Sequence, residues 1–404
     1  MTNTPVGNKT KFYLDKLCAE INNRCVGSQG NQLATDFFAE AISAFGFETE
    51  TPEFECIDWS HEDLELTING QPFPAFISPY SLGCKATAPL SAASTLDELE
   101  NQDIPGSILL LHGEIAKEQL MPKNFTFYNP EIHQQIIALV EEKAPRAILS
   151  ATSRNPELAG GIYPFPLFED GDFDIPSVYT TEEEGRRIAQ QVGNQVVLNF
   201  EATRRPSSGC NVVARKGRDP HTKIVLFAHI DAKINTPGAL DNATGVISLL
   251  LLAELLQEIS FTKTIEIVAL NGEDYYSAPG ELLYLRSNPN QMEDVFMGIN
   301  LDGAGYVDGK TAYSLYDCPS EIARAVYKCF PANKGFLEGE QWYQSDHSLF
   351  IMHQRPALAI TSEKFLYLST YVTHTAQDIP ALVDTSKLVE IAHALRDLLV
   401  SLDK

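Results

Sequence analysis

Five short segments of this 404-residue chain gather residue types that bind divalent metals. They are His229-Ile230-Asp231, Asp241-Asn242, Glu273-Asp274, Asn300-Leu301-Asp302, and Thr373-His374-Thr375 followed by Asp378. Imidazole and carboxylate ligands suit zinc, and a set without thiolates fits a catalytic rather than a structural ion. Cobalt and manganese accept similar ligands. A pair of ions about 3.5–4 Å apart needs an anionic bridge and terminal ligands, and a further carboxylate must stay off the metal to take a proton from water. Glu273-Asp274 can meet two of these needs, because adjacent side chains diverge. Asp231 is placed to hold the His229 imidazole through its second nitrogen, and Asp378 stands near His374 in the same way. Each segment also has a plainer reading. A strand-end histidine is often solvated, Asp241 before an apolar helix is an ordinary N-cap, Glu273-Asp274 a solvated loop pair, and Asp302 before glycines a turn residue. Recurrence at five successive positions favours the metal site.

The elements around these segments explain how they would converge. Strands are predicted at Ile224–Ala228, Thr264–Leu270, Phe296–Leu301 and Ala357–Thr361, with helices near Ala243–Gln257 and Thr385–Leu402. Near-continuous apolar strands alternating with helices imply an α/β fold, a mixed and mostly parallel sheet sandwiched by helices. In such sheets chemistry collects at the carboxyl ends of strands. Apolar positions from Lys9 to Phe47 recur every three to four residues, which predicts two amphipathic helices broken at Gly27–Gly30. From about Phe54 to Phe200 the texture changes to short strands, prolines and one helix at Ile132–Lys143. The expected organisation is a discontinuous catalytic domain, 1–55 and 206–404, interrupted by a smaller inserted α/β domain, 56–205.

Composition narrows the partners. With 54 acidic and 30 basic side chains the formal charge is −24, which disfavours nucleic acid and anionic membranes. The first twenty residues lack a secretory signal pattern, and the most apolar run, Val246–Leu256, is too short to span a bilayer. Seven scattered cysteines without a CxxC pair suit reduced thiols, so a cytoplasmic protein is expected. Two motif-like stretches are expected to be surface. His61-Glu62-Asp63-Leu64-Glu65 lacks the second histidine of a zinc helix. Asp170-Gly171-Asp172-Phe173-Asp174 lacks the glycine and glutamate of a calcium loop. No G-x-S-x-G, P-loop or G-x-G-x-x-G occurs.

The segments AHIDAKINTPGALDNATGVISLLLLAELL, NGEDYYSAPGELLYL, INLDGAGY, YQSDHSLFIMHQRPALAITS and THTAQDIPALVDTSKLVEIAHAL, with NNRCVGSQGN early in the chain, resemble the co-catalytic zinc exopeptidases of metallopeptidase family twenty-eight, typified by bacterial leucyl aminopeptidases. The middle third resembles, more weakly, the protease-associated domain that several members insert. The resemblance implies two zinc ions and a peptide substrate. Asp241 would bridge, His229 and Asp274 would complete one ion, and Asp302 and His374 the other. Glu273 would be general base and then general acid, with Asp231 supporting His229. The peptide bond after the bridging aspartate is often cis in the family, which points to Asp241-Asn242. Two departures stand out. Asp274 occupies a position where glutamate is commoner, and Tyr343, offset from the usual tyrosine before Ser-Asp-His, is either an oxyanion donor or a pocket wall. The implied activity is aminopeptidase. Relatives with carboxypeptidase or glutaminyl-cyclase chemistry are the alternative within the fold, with Arg286 and Arg355 as possible carboxylate clamps. A non-catalytic binding module is the third reading. Side-chain preference and oligomeric state stay open.

Overall fold

The structure, a computed structural model, describes residues 5–21, 23–102, 104–155, 161–288 and 292–403. Asn22 of the early motif lies outside them. The chain forms two compact units, 1–56 with 207–404, and 57–206.

The first unit is built on an eight-stranded sheet. Its order is Glu48–Glu50, Val212–Lys216, Lys263–Leu270, Asp219–His229, Val295–Leu301, Ala357–Ser362, Thr311–Tyr316, Phe336–Glu338. The four strands from Lys263–Leu270 to Ala357–Ser362 are mutually parallel, so their carboxyl ends share one edge. They are nearly continuous in Ile, Leu, Val and Ala because both faces are covered. Antiparallel pairing at Val212–Lys216 and Thr311–Tyr316 makes the sheet mixed. These strands were not foreseen. The first carries Arg215 and Lys216 at its end, and the second mixes Thr, Tyr and Ser.

Helix Thr244–Leu255 has every residue from Thr244 to Ala253 buried. A helix apolar on all sides belongs inside, and this one contacts the Asp219–His229 strand and the terminal helix Thr385–Leu402. The terminal helix buries Leu388, Ile391, Ala392, Leu395, Leu398, Leu399 and Leu402, the stripe its spacing predicts. Asp384 caps it by accepting from the Ser386 amide. Glu266, fully buried on a central strand, accepts from Arg215 Nε and Tyr284 Oη at 2.5 Å each. The charge is tolerated there because it is paired.

The second unit holds another eight-stranded sheet, whose Cys84–Ala93, Ile108–Leu111, Ala147–Thr152 and Ser177–Thr181 strands run parallel. Helix Glu131–Lys143 buries Ile136, Ile137 and Val140 in its core. The acids of the Asp170 loop resembling a calcium site are engaged by protein donors. Asp170 accepts from the Lys123 and Asp172 amides, Asp172 from Asn124, and Asp174 from Arg204. No helix among the described residues is long and apolar enough to cross a membrane.

Candidate metal centre

The shared strand edge brings the five segments together. His229 ends its strand, Asp302 directly follows Leu301, and Glu273 and Asp274 sit in the turn after Leu270. Asp241 lies in an irregular turn before helix Thr244–Leu255, with φ −116° and ψ 87°. It is therefore not the N-cap of that helix. Asn242 meets part of that need, its Oδ1 accepting from the Gly245 amide and its Nδ2 donating to Leu301 O. The Asp241-Asn242 peptide bond is cis. His374 is reached from helix Phe365–Tyr371 and has φ +60°, a left-handed conformation uncommon outside glycine and often found at functional sites.

Asp241 is the centre of the geometry. Its Oδ1 lies 3.1 Å from His229 Nε2, and its Oδ2 lies 3.0 Å from His374 Nε2. Asp302 Oδ1 is 3.8 Å from the same His229 nitrogen, and Asp274 Oδ1 is 3.0 Å from the same His374 nitrogen. His229, Asp241 and Asp274 also each offer an atom within 4.8 Å of the others. The two oxygens of Asp241 nevertheless face opposite partners, and that sorts the set into His229 with Asp302 and His374 with Asp274. The expected pairing exchanged Asp274 and Asp302; these shortest approaches follow the other division. The exchange was invisible in sequence because ligand order along a chain does not fix which strand ends face each other.

Unsatisfied buried atoms show that these residues fit a metal. Neither nitrogen of His229 nor Oδ2 of Asp274 has a hydrogen-bond partner, although buried polar groups are normally paired. The approach of His229 to Asp241 is a close contact without hydrogen-bond geometry. Two imidazole Nε2 atoms and three carboxylates, held within a few ångströms and partly unsatisfied, form a donor set for divalent cations.

Charge is strongly redistributed in this cluster. Burial opposes a charged His229, but the carboxylates of Asp231, Asp241 and Asp302 outweigh it and raise its pKa well above the usual histidine value. His374 is raised in the same way by Asp274 and Asp241. Burial would raise Asp241, yet contacts with both histidines lower it. Asp274 is lowered, His374 overcoming its burial. Glu273 moves the other way. Burial, with repulsion from Asp274, Asp346 and Asp302, pushes it well above the ordinary glutamate range.

A supporting shell fixes the loops, and in places differs from expectation. Asp231 accepts from the Gly272 and Asp274 amides at 2.8 and 3.0 Å, whereas its approach to His229 Nδ1 is 3.6 Å, beyond a hydrogen bond. It holds the Glu273 turn more directly than the imidazole. Asp378 accepts from the Leu240 and Asp241 amides at 2.7 and 3.0 Å, so it braces the bridging residue instead of His374. Ser345 donates to Asp302 Oδ2 at 2.7 Å and accepts from Asn300 Nδ2. Arg24, almost fully buried, donates to the carbonyls of Leu17, Ile230, Pro237 and Gly238. It clamps the loop between His229 and Asp241. Gly238 is required there: with φ +58°, a Cβ would meet Asp241 O at 2.6 Å and Arg24 Nη2 at 2.7 Å. Asn31 and Asn271 exchange reciprocal amide hydrogen bonds at 2.8 and 2.9 Å, tying the early motif to the Glu273 turn. Arg24, Asn31, Ser345 and Asn271 are supporting positions that ligand spacing did not single out. The early NNRCVGSQGN motif was the available signal for the first two.

Among the described residues no hydrogen bond joins Tyr343 to the ligand cluster. Its side chain is 55% exposed and its hydroxyl donates to Gln341 Oε1, two residues away on the same loop. The proposed arginine clamps are likewise placed elsewhere. Arg355 donates to the His353 and Glu293 carbonyls, and Arg286 is exposed at the end of helix Pro279–Ser287.

The sheet thus carries a buried cluster of histidine and aspartate side chains at its strand carboxyl ends, a donor set suited to divalent cations. Residues 211–399, a little under half of the chain, match the model of peptidase family M28. It is 23% identical to the probable lipoprotein aminopeptidase LpqL of Mycobacterium tuberculosis over 70% of this chain and 55% of that protein. It is 23% identical to the probable leucine aminopeptidase 2 of Aspergillus fumigatus over 83% of this chain and 67% of that protein. The chain thus spans little more than half the length of the mycobacterial relative. Among solved structures, the aminopeptidase from Aneurinibacillus sp. strain AM-1 has a similar fold, with a TM-score of 0.75 at 18% identity, covering 98% of this chain and 93% of that one. BSAP, a zinc aminopeptidase from Bacillus subtilis, gives 0.74 at 16% identity, covering 98% and 95%.

Proposed function

We propose that this protein is a two-zinc aminopeptidase releasing N-terminal residues from short peptides. The observation that carries the reading is the division of Asp241, one oxygen towards His229 and Asp302, the other towards His374 and Asp274. These five residues would hold two ions, with Asp241 as the bridge. Zinc bound there supplies Lewis acidity to the scissile carbonyl and to the attacking water.

The remaining work falls to the chain's own groups. Glu273, adjacent to Asp274, has its pKa driven upwards by burial, which suits a group that must take and return a proton. Nearby cations oppose that rise, keeping the carboxylate available to accept a proton from water. The same carboxyl then gives that proton to the leaving amine. Asp231 fixes the turn that aims Glu273, and Asp378 fixes the backbone of Asp241. The carboxypeptidase alternative is weakened by the placement of Arg355, whose guanidinium is spent on backbone carbonyls.

Unblocked, N-acetylated and C-amidated dipeptides, assayed with and without a chelator and after zinc is restored, test the reading. Cleavage should require a free N-terminus and zinc. Hydrolysis of the N-acetylated substrates, or undiminished hydrolysis in chelator, would overturn it.

A further inference from the structure

The two halves of the centre are not electrostatically equivalent. Lys233, four residues past His229, places its ammonium 4.0 Å from Asp274 Oδ1, and its side chain is only 23% exposed. That oxygen is the one 3.0 Å from His374 Nε2. In the other half, Asp302 has His229 Nε2 at 3.8 Å and the Ser345 hydroxyl at 2.7 Å as partners, and no lysine or arginine pairs with it among the described residues. Lys233 also sits on the loop that Arg24 grips through Ile230, Pro237 and Gly238, and the Ala232 amide donates to Arg24 O. Its backbone is therefore anchored close to the cluster. Asp274, at the end of its short stem, is already shared between an imidazole and this ammonium.

We infer that Lys233 makes the two metal positions unequal, setting the His374–Asp274 position as the weaker and more readily exchanged. The inference rests on the two-ion reading above. A dication ligated by Asp274 must share that carboxylate's surroundings with a resident positive charge, whereas one ligated by Asp302 need not. Like charges roughly 5 Å apart at an effective dielectric near 20 change an equilibrium by well over tenfold, and partial exposure of the lysine reduces this to ~10–100-fold. The ammonium has a compensating use. With the weaker position unfilled, it partly neutralises Asp274, a buried carboxylate with one unpartnered oxygen. The chain can then hold one ion without leaving the second half as an uncompensated negative charge.

Zinc titration of the full-length, metal-stripped protein by calorimetry tests this directly. Wild type should show two binding events of unequal affinity. Lys233→Met should tighten the weaker event by ~10-fold or more and leave the tighter one unchanged, and Lys233→Arg should behave as wild type. Folding of each variant is verified by far-UV circular dichroism, and Lys233→Gln serves in place of a methionine variant that does not fold. Two equal events in wild type would overturn the inference, as would tightening of the stronger event or an unchanged isotherm in the neutral variants. Failure of the function reading looks different, because a protein that binds two ions in this Lys233-dependent way but releases no N-terminal residue loses the peptidase assignment alone.

Discussion

At the scale of single residues, the proposed centre would divide groups that hold metal from one group that moves a proton. Glu273 adjoins Asp274 in sequence but titrates in the opposite direction: at Glu273 burial, with repulsion from neighbouring carboxylates, outweighs the pull of His229, whereas at Asp274 His374 outweighs burial. Glu273→Gln should keep two zinc ions per chain by metal analysis and lower kcat by ~10²–10⁴-fold, the usual range for a general base. Wild-type turnover at full zinc content would remove Glu273 from the mechanism. Ser345 contributes differently. Its hydroxyl joins Asn300 to Asp302, so Ser345→Ala frees a ligand oxygen and strips an amide of its acceptor. Zinc affinity measured by competition with a chromophoric chelator should weaken ~10–100-fold, as for other residues that orient a metal ligand.

At the scale of elements, the centre depends on loops that the sheet edge alone does not position. Arg24 supplies donors to four carbonyls, two of them in the Pro237-Gly238 turn just before Asp241. Arg24→Met would bury those oxygens unpartnered and should destabilise the folded chain by on the order of 3 kcal/mol in urea unfolding. Lysine, with a point charge in place of a fork, should recover only part of it. An unchanged unfolding midpoint would show that the loop is held by its own turns. Gly245 presents a tighter limit, since a Cβ there would meet Asn242 Oδ1 at 2.5 Å and Leu301 O at 2.6 Å. The contrast between ligands and supports explains what the sequence could reveal. His229, Asp302 and the Glu273-Asp274 pair follow long apolar runs such as Ile224-Val225-Leu226-Phe227-Ala228, where period and composition mark both the strand and its end. Arg24 and Asn31 act on residues more than two hundred positions away, and no local pattern encodes such a partner. Asp378 departs from expectation for a related reason. Proximity in sequence to His374 suggested an imidazole partner, but its carboxylate turns to the Leu240 and Asp241 amides, whereas Asp231 both faces His229 Nδ1 at 3.6 Å and accepts from the Gly272 and Asp274 amides. Short edge strands such as Phe336–Glu338 carry too few residues to show a period.

At the scale of the whole molecule, the centre makes stability depend on pH in a direction set by its buried protons. Burial, with repulsion from neighbouring carboxylates, pushes Asp346 and Asp378 up to about 7. Between the unfolded aspartate value near 3.9 and that point, the folded chain holds protons the unfolded chain has released, so stability falls as pH rises through the interval. His229 and His374, both raised, contribute stability that is fully present below about 6.5 and is lost as pH climbs through their folded values. Asp241 and Asp274 are lowered, and their contribution disappears only in acid below their folded pKa values. From pH 5 to 8 the buried groups therefore act together. Metal-stripped protein should melt at progressively lower temperature across that range in calorimetry. The rise in melting temperature produced by zinc should grow over the same range, because fewer protons compete for the imidazoles. The formal charge of −24 adds self-repulsion of the same sign, but surface repulsion is screened by salt whereas buried groups are screened far less. Repeating the series in 1 M sodium chloride separates the two. A slope that survives high salt and shrinks in Asp378→Asn belongs to the centre, and a slope abolished by salt would assign the pH dependence to the acidic surface.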